Sequence, residues 1–176
     1  MTSERDKTLA ALKIAIQMEI DGKECYLAAS DESGNELGRK LLRSLAAEED
    51  IHRRKFVEIY ETVSGKKDWP ATDFKPDGGK KLRTIFARTC QILGPDVKAL
   101  AGELDAIQMA IDKESQSYDF YKRQVKSAVY DSEREFYESL AGEEQEHHLI
   151  LLDYYEYLKD PAAWFVAKEK PSLDGG

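Results

Sequence analysis

Apolar residues recur every three or four positions along four long stretches of the chain, a spacing that places them on one face of an α-helix. The stretches predict four long helices over residues 4–31, 36–63, 95–127 and 131–159. Between the second and third stretches, Pro70, Pro76 and Gly79 indicate a loop-rich connection, and residues 80–93 show a shorter helical pattern within it. The predicted fold class is therefore all-α, a helical bundle with one long crossover at about residues 65–95.

The apolar stripe of every long helix is interrupted by acidic or imidazole side chains near the middle of the helix. The interrupting residues are Glu19, Glu49, His52, Glu114, Glu144 and His147. Each of the three in the second half lies 95 positions after its counterpart in the first half, as Glu114 does after Glu19. This constant offset indicates a duplicated helical hairpin.

The connection between the two predicted hairpins is long enough to run back along the bundle. A helix of ~28 residues is ~42 Å long at ~1.5 Å per residue, and an extended chain covers that length in ~13 residues. Residues 65–95 exceed this requirement, so the second and third long helices can be parallel. That arrangement is the one-crossover topology of ferritin-like bundles.

The bundle is predicted to occupy residues 1–160, because Asp160-Pro161 ends the last helical pattern. Residues 161–176 are predicted to form a C-terminal tail. Its Trp164 and Phe165 are expected to dock on the bundle or on a neighbouring subunit.

The six polar side chains meet at one level of such a bundle, where they form a candidate site for two metal ions. A buried carboxylate without a compensating charge costs several kcal/mol. Two divalent ions would balance the four glutamates, with both imidazoles neutral. Two glutamates plus two Glu-x-x-His pairs are the ligand set of di-metal sites in helical bundles. The alternatives are a buried polar network and displaced helix ends that let these side chains reach water.

Three acidic or imidazole neighbours of the ligands are predicted to lie outside the site. His148 follows His147 but points ~100° away around the helix, which predicts a surface position. Glu48 and Glu143 fall off the apolar stripe and are predicted to be solvated. The alternative for these two is a hydrogen bond to a ligand histidine.

Two tyrosines occupy corresponding positions in the two halves of the repeat. Tyr26 and Tyr121 follow Glu19 and Glu114 by seven residues, about two helical turns. Core packing explains this placement. The alternative is a hydrogen bond from each hydroxyl to a ligand carboxylate, which would make both tyrosines candidate catalytic residues beside the metal.

Composition and charge exclude several other classes of function. The net charge of −8 is spread along the chain without basic patches, which argues against nucleic acid as a partner. No run of ~18 apolar residues predicts a membrane span, and the N-terminus lacks the apolar core of a signal peptide. Cys25 and Cys90 form no Cys-x-x-Cys pair, so neither a disulfide framework nor a rubredoxin-type iron site is predicted. We therefore expect a soluble, cytoplasmic protein.

The ligand segments resemble the rubrerythrin branch of the ferritin-like superfamily of di-iron carboxylate proteins. The similar segments, within a resemblance that extends over residues 4–159, are Ala15-Ile-Gln-Met-Glu19, Glu49-Asp-Ile-His52, Ala110-Ile-Asp-Lys-Glu114 and Glu144-Gln-Glu-His147. The resemblance implies a cofactor of two iron ions bridged by Glu49 and Glu144. It also implies that Glu19 and His52 complete one ion's coordination, and that Glu114 and His147 complete the other's. Manganese or zinc would also suit these ligand types.

The chain departs from the rubrerythrin pattern at two points. Rubrerythrins usually have a C-terminal rubredoxin domain, and this sequence has no cysteine pairs from which to build one. They also have an additional glutamate one turn after the ligand of the third long helix, where this chain has Ser117. That glutamate is associated with movement of iron between ligands during peroxide turnover. Its replacement is therefore expected to affect the efficiency of peroxidase chemistry and to leave the six-ligand site intact.

The resemblance implies an oxidoreductase that reduces hydrogen peroxide to water. Hydrogen peroxide or oxygen is the expected small-molecule substrate, and an external protein of the rubredoxin type is the expected electron donor. A homodimer is the expected assembly. Two alternatives are a ferroxidase and iron-storage protein of ferritin type, and a structural bundle that binds metal without turnover.

Overall fold

The computed structural model describes residues 3–169, and this part of the chain is built from helices without any strand. The six α-helices are α1 (Glu4–Glu32), α2 (Glu36–Ser64), α3 (Lys80–Leu93), α4 (Glu103–Ser127), α5 (Asp131–Lys159) and α6 (Pro161–Glu169). A short 3-10 helix, Gly94–Asp96, follows α3. The prediction of an all-α bundle is confirmed.

Polar side chains at the helix starts account for several of the boundaries. Ser3 and Asp6 exchange hydrogen bonds with each other's backbone N–H groups at the start of α1. The Asn35 side-chain oxygen accepts a hydrogen bond from the Gly38 N–H at the start of α2. At the start of α5, the Glu133 carboxylate accepts from backbone N–H groups of the preceding turn. These interactions satisfy N–H groups that have no partner within the helix.

The start of α4 differs from the prediction, because the helix begins at Glu103 and not at Pro95. Gly102, with a φ of 83°, turns the chain directly before the helix. The buried Glu103 carboxylate accepts a hydrogen bond from the Leu100 N–H, which fixes this turn. Leu100 lies within the predicted span of this helix, but in the structure it precedes the helix and is 55 % exposed.

A buried polar network at one end of the bundle establishes the direction of the helices. The side chains of Ser33, Asn35 and Tyr154 all reach the carboxylate of Glu103 there. The end of α1, the start of α2, the start of α4 and the last third of α5 therefore lie together. It follows that α1/α2 and α4/α5 are antiparallel hairpins and that α2 is parallel to α4. The crossover, residues 65–102, contains α3 and returns the chain to this end.

The apolar core is divided into two clusters, one on each side of the interrupting polar residues. One cluster lies toward the polar network and includes Leu41, Ile107 and Tyr157. The other lies toward the opposite end and includes Phe56 and Tyr121. On each long helix, the polar residues fall between the positions that belong to the two clusters. The polar layer is thus enclosed by apolar packing above and below.

The predicted C-terminal tail begins as a helix that packs on the bundle. The Trp164 ring in α6 meets the rings of Phe86 and Tyr157 edge to face, at centroid distances of 5.6 and 5.5 Å. Phe165 packs against the same cluster. The remainder of the tail, residues 170–176, lies outside the described residues. No helix between residues 3 and 169 is long and apolar enough to cross a membrane.

Candidate metal centre

The structure brings all six interrupting side chains together in the middle of the bundle. None of them is more than 3 % exposed, although all are acidic or imidazole side chains. The residues are Glu19 on α1, Glu49 and His52 on α2, Glu114 on α4, and Glu144 and His147 on α5. The spacing of three residues within each Glu-x-x-His pair directs both side chains to the same face of the helix.

The six side chains form two overlapping groups of four. Within each group, one oxygen or nitrogen atom per residue lies within 4.8 Å of the corresponding atom of every other member. The first group contains Glu19, Glu49, His52 and Glu144, and the second contains Glu49, Glu114, Glu144 and His147. Glu49 and Glu144 belong to both groups. This is the arrangement that two metal ions sharing two carboxylates require.

Each of the six side chains has at least one buried atom without a hydrogen-bond partner in the described protein. The unpartnered atoms are Glu19 Oε2, Glu49 Oε1, His52 Nδ1, Glu114 Oε2, both oxygens of Glu144, and His147 Nδ1. They face one another: His52 Nδ1 lies 3.3 Å from Glu19 Oε2, and His147 Nδ1 lies 3.4 Å from Glu49 Oε1. Carboxylate oxygens and imidazole nitrogens that converge in this way fit divalent metal ions.

A glycine on α1 allows the helix to approach one of the shared carboxylates. A Cβ atom at Gly22 would lie 2.7 Å from Glu49 Oε2, closer than a carbon and an oxygen atom can approach without displacement. The position 95 residues later is Ser117. The two halves of the duplicated site therefore differ at the residue that follows the first ligand by one turn.

In the absence of metal, burial and mutual repulsion of the carboxylates favour protonation of the cluster. Burial, together with the charge of Glu49, raises the pKa of Glu19 to about 8. Burial and the neighbouring carboxylate of Glu114 also raise the pKa of Glu144. Burial opposes protonation of His52, but the carboxylates of Glu19 and Glu49 together outweigh this effect and raise the pKa of the imidazole. A divalent ion would take the place of these protons.

The hydroxyl of Tyr121 donates a hydrogen bond to Glu19 Oε1, from α4 to α1. For Tyr121, the structure thus shows a hydrogen bond to a ligand carboxylate, which was the alternative to simple core packing. Its counterpart Tyr26 is 1 % exposed, and its hydroxyl has no partner among residues 3–169. The two tyrosines thus occupy equivalent positions in the repeat but have different environments.

The prediction for Glu48 and Glu143 is corrected by the structure. Glu48 Oε2 lies 2.9 Å from His147 Nε2 and accepts its hydrogen bond, which leaves Nδ1 directed at the ligand carboxylates. Glu143 is 5 % exposed, so its predicted solvation is wrong. The crossover covers this face of the bundle, which helical periodicity alone does not reveal. The feature of the sequence that could have indicated a role near the ligands was that Glu48 and Glu143 are 95 positions apart, as the paired ligands are.

Two cavities reach the ligands from different faces of the bundle. One, of about 260 Å³, lies between α4 and α5 and is lined by Glu114, Ser115 and His148. His148 is half-buried, and its Nδ1 lies 3.2 Å from Ser115 Oγ, so it faces away from the six-residue cluster. The other cavity, of about 350 Å³, lies beneath the crossover and reaches His52. Two of the six clustered residues, Glu114 and His52, thus also line cavities at the surface of the bundle.

Comparison with protein families identifies the family of this chain. The family model described as Rubrerythrin matches residues 10–155, a range that includes all six clustered side chains. Comparisons with curated proteins and with solved structures found no match.

Proposed function

The chain belongs to the rubrerythrin family, and from this premise we propose that it is a di-iron oxidoreductase that reduces hydrogen peroxide to water. The proposal is supported above all by the two overlapping groups of buried ligands that share Glu49 and Glu144. The unpartnered atoms of these groups point at one another and not at protein donors. Without bound metal, burial of these unpartnered polar atoms would only destabilise the fold.

We assign the six residues to two ions. Glu49 and Glu144 would contact both ions, because they belong to both groups. Glu19 and His52 would complete one ion's ligand set, and the remaining pair, on α4 and α5, would complete the other's. Four carboxylates then balance two divalent charges. Iron is the metal expected from the family, while manganese and zinc suit the same ligand types.

When bound, two ferrous ions supply the two electrons that convert one peroxide and two protons into two water molecules. The chain itself must hold the ligands, exclude bulk water and supply protons. Tyr121 is placed for the last of these tasks, since its hydroxyl donates to Glu19 Oε1. Burial, with the charge of Glu19, raises its pKa above the usual range, so the phenol carries a proton to donate before peroxide reacts. We propose Tyr121 as the catalytic tyrosine, with Tyr26 as its weaker counterpart.

The electron donor is proposed to be a separate rubredoxin-type protein. The 176 residues contain two cysteines, Cys25 and Cys90, and both are free thiols. A tetrahedral iron–sulfur site needs four thiolates, which these residues do not supply. A homodimer in the cytoplasm remains the proposed assembly and location.

Anaerobic stopped-flow spectroscopy tests the proposed activity. Protein loaded with two ferrous ions is mixed with hydrogen peroxide and, separately, with oxygen. The proposal predicts rapid oxidation by peroxide and slow oxidation by oxygen. Fast oxidation by oxygen with uptake of further iron would instead indicate a ferroxidase and iron-storage protein. Stable metal binding without reaction with either oxidant would indicate a structural site.

A further inference from the structure

The cavity beneath the crossover contains a second group of carboxylates beside the metal centre. Its inner wall is formed by Glu48, His52 and Glu143, and residues 73–77 of the crossover form another part of its lining. One ligand atom from each of Glu48, Glu143 and His147 lies within 4.8 Å of the others. The cavity thus connects the outside of the bundle with the His52 side of the cluster.

Glu143 is the unusual member of this group. Its side chain lines the cavity, and only 5 % of the residue is exposed. Nevertheless, its carboxylate has neither a hydrogen bond nor an ion pair with any residue in the described range 3–169. A carboxylate in such a position is stable only if a cation or water from the cavity compensates it.

None of the three lysines that line the same cavity pairs with Glu143. The ammonium of Lys55 lies 3.3 Å from both Glu58 and Asp73. Lys75 and Lys81 are exposed to solvent. No lysine in the described part of the chain therefore pairs with Glu143, which leaves its carboxylate available to a cation from solution.

The histidine of the group is also engaged. His147 Nε2 donates to Glu48 Oε2, and its Nδ1 faces the six-residue cluster. A cation in the cavity would therefore be bound by carboxylate oxygens and water. Hard divalent cations accept such ligands, and an incomplete protein ligand set gives weak binding that permits release.

We propose that Glu143, together with Glu48, forms a transit site through which divalent cations pass from the crossover cavity to the His52 side of the metal centre. The proposal rests on the proposed function in that the centre must bind two metal ions. His52 is the adjoining ligand, because its ring lines the cavity and meets Phe74 of the crossover edge to face at 5.5 Å. Metal loading therefore depends on a residue that contributes no ligand to the final site.

The rate of cobalt loading tests this proposal. Metal-free wild-type protein, E143Q and D119N are mixed with Co²⁺, and the absorption of the bound ion is followed. Removal of the Glu143 charge should slow loading about tenfold, since a local charge accelerates capture of ions by this order. The final stoichiometry of two ions and the final spectrum should be unchanged. D119N removes an exposed charge from the lining of the other cavity and should load at the wild-type rate.

A conservative replacement of Glu143 separates the loss of its charge from an indirect effect of the substitution on folding. E143D keeps the charge and should load within about twofold of wild type, because ion capture depends on that charge. Circular dichroism establishes that the variants have the same helix content.

The other possible results distinguish failure of the transit site from failure of the proposed function. Equal rates for E143Q and wild type would overturn the transit site while leaving the proposed function intact. Slow loading of D119N alone would assign the route to the other cavity and also overturn it. Failure of wild type to bind two ions would overturn the proposed function and, with it, the transit site.

Discussion

The hydroxyl of Tyr121 is the one tyrosine hydroxyl in the described chain that bonds to a candidate metal ligand, Glu19. Its position is repeated by Tyr26, whose hydroxyl lies in the core without a partner among the described residues. This pair therefore separates the effect of a hydroxyl beside the metal from the effect of a tyrosine ring in the core.

Replacement of Tyr121 by Phe should slow the reaction with peroxide and leave two ions bound. It removes the donor to Glu19 Oε1, and an unsatisfied buried oxygen costs about 1–3 kcal/mol. The matched variant Tyr26→Phe loses no hydrogen bond in the structure and should react at nearly the wild-type rate. Stopped-flow rates and metal analysis of both variants provide the measurement. Equal rates for the two would contradict a role for the Tyr121 hydroxyl.

Glu19 also predicts how pH affects the metal-free protein. Its folded pKa of about 8 lies above the ordinary value of 4.5, so folding favours its protonated form. The stabilisation is fully present below about pH 4.5 and is lost as pH rises to about 8. The raised pKa values of both histidines act in the same direction. Glu49, whose pKa is lowered by His147 and His52 against the effect of burial, acts oppositely.

Thermal unfolding followed by circular dichroism measures this dependence. The Tm of the metal-free protein should fall between pH 5 and pH 8, because over this range Glu19 is ionised in the unfolded chain and must take up a proton on folding. With metal bound, the protons have already been displaced and the decrease should be smaller, while metal affinity should rise with pH. A metal-free Tm that rises steadily over the same range would contradict the assignment of protons to the cluster.

At the scale of the helices, the approach of α1 to α2 depends on Gly22. Alanine at this position would place a Cβ atom 2.7 Å from Glu49 Oε2, a carboxylate proposed to contact both ions. Gly142, on the exposed side of α5, has no atom within 4 Å of an added Cβ. The two glycines therefore provide a test in which helix propensity changes equally and only one substitution affects the site.

Gly22→Ala should weaken binding of both metal ions, because Glu49 must move. Each alanine gains up to about 1 kcal/mol of helix propensity, so helix stability does not account for a loss of binding. Gly142→Ala should bind two ions with wild-type affinity and show a slightly higher Tm. Metal titration and thermal unfolding distinguish the two. Wild-type affinity in Gly22→Ala would show that Glu49 has more freedom than the structure indicates.

The helix boundaries also show which features the sequence alone could predict. The bounds of α3 and α5 match the prediction because their apolar periodicity ends at Gly94 and Asp160-Pro161. The start of α4 was missed, because Gly102 is only a weak local signal and the burial of Glu103, which fixes the turn, depends on residues far away in the chain. The burial of Glu143 depends in the same way on the crossover. Local pattern predicts elements, while tertiary contacts decide their ends and the burial of off-stripe residues.

For the site, the repeat was the informative feature. The offset of 95 positions predicted which six side chains would meet, and the structure brings these six together. The offset could not predict the differences between the halves, because a repeat implies symmetry. The Tyr121 hydroxyl donates to Glu19 whereas the Tyr26 hydroxyl has no partner among the described residues. Glu48 accepts a hydrogen bond from His147, whereas Glu143 has no such bond within the described residues.

At the scale of the whole molecule, the polar layer is enclosed between two apolar clusters and crossed by all four long helices. This enclosure removes water from the six ligands, so their mutual repulsion is not screened. The same four helices carry most of the apolar residues of both clusters, and this packing holds the ligands at fixed separations. The fold therefore supports a cluster of charged groups that would be unstable without bound cations or protons.

The central claim is that six buried side chains bind two metal ions that share Glu49 and Glu144. A crystal structure of the iron-loaded protein, with anomalous data collected at the iron absorption edge, tests it most directly. The claim predicts two anomalous peaks roughly 3.5–4 Å apart, both in contact with the two shared carboxylates. A single peak, or two peaks without a common carboxylate ligand, would contradict it.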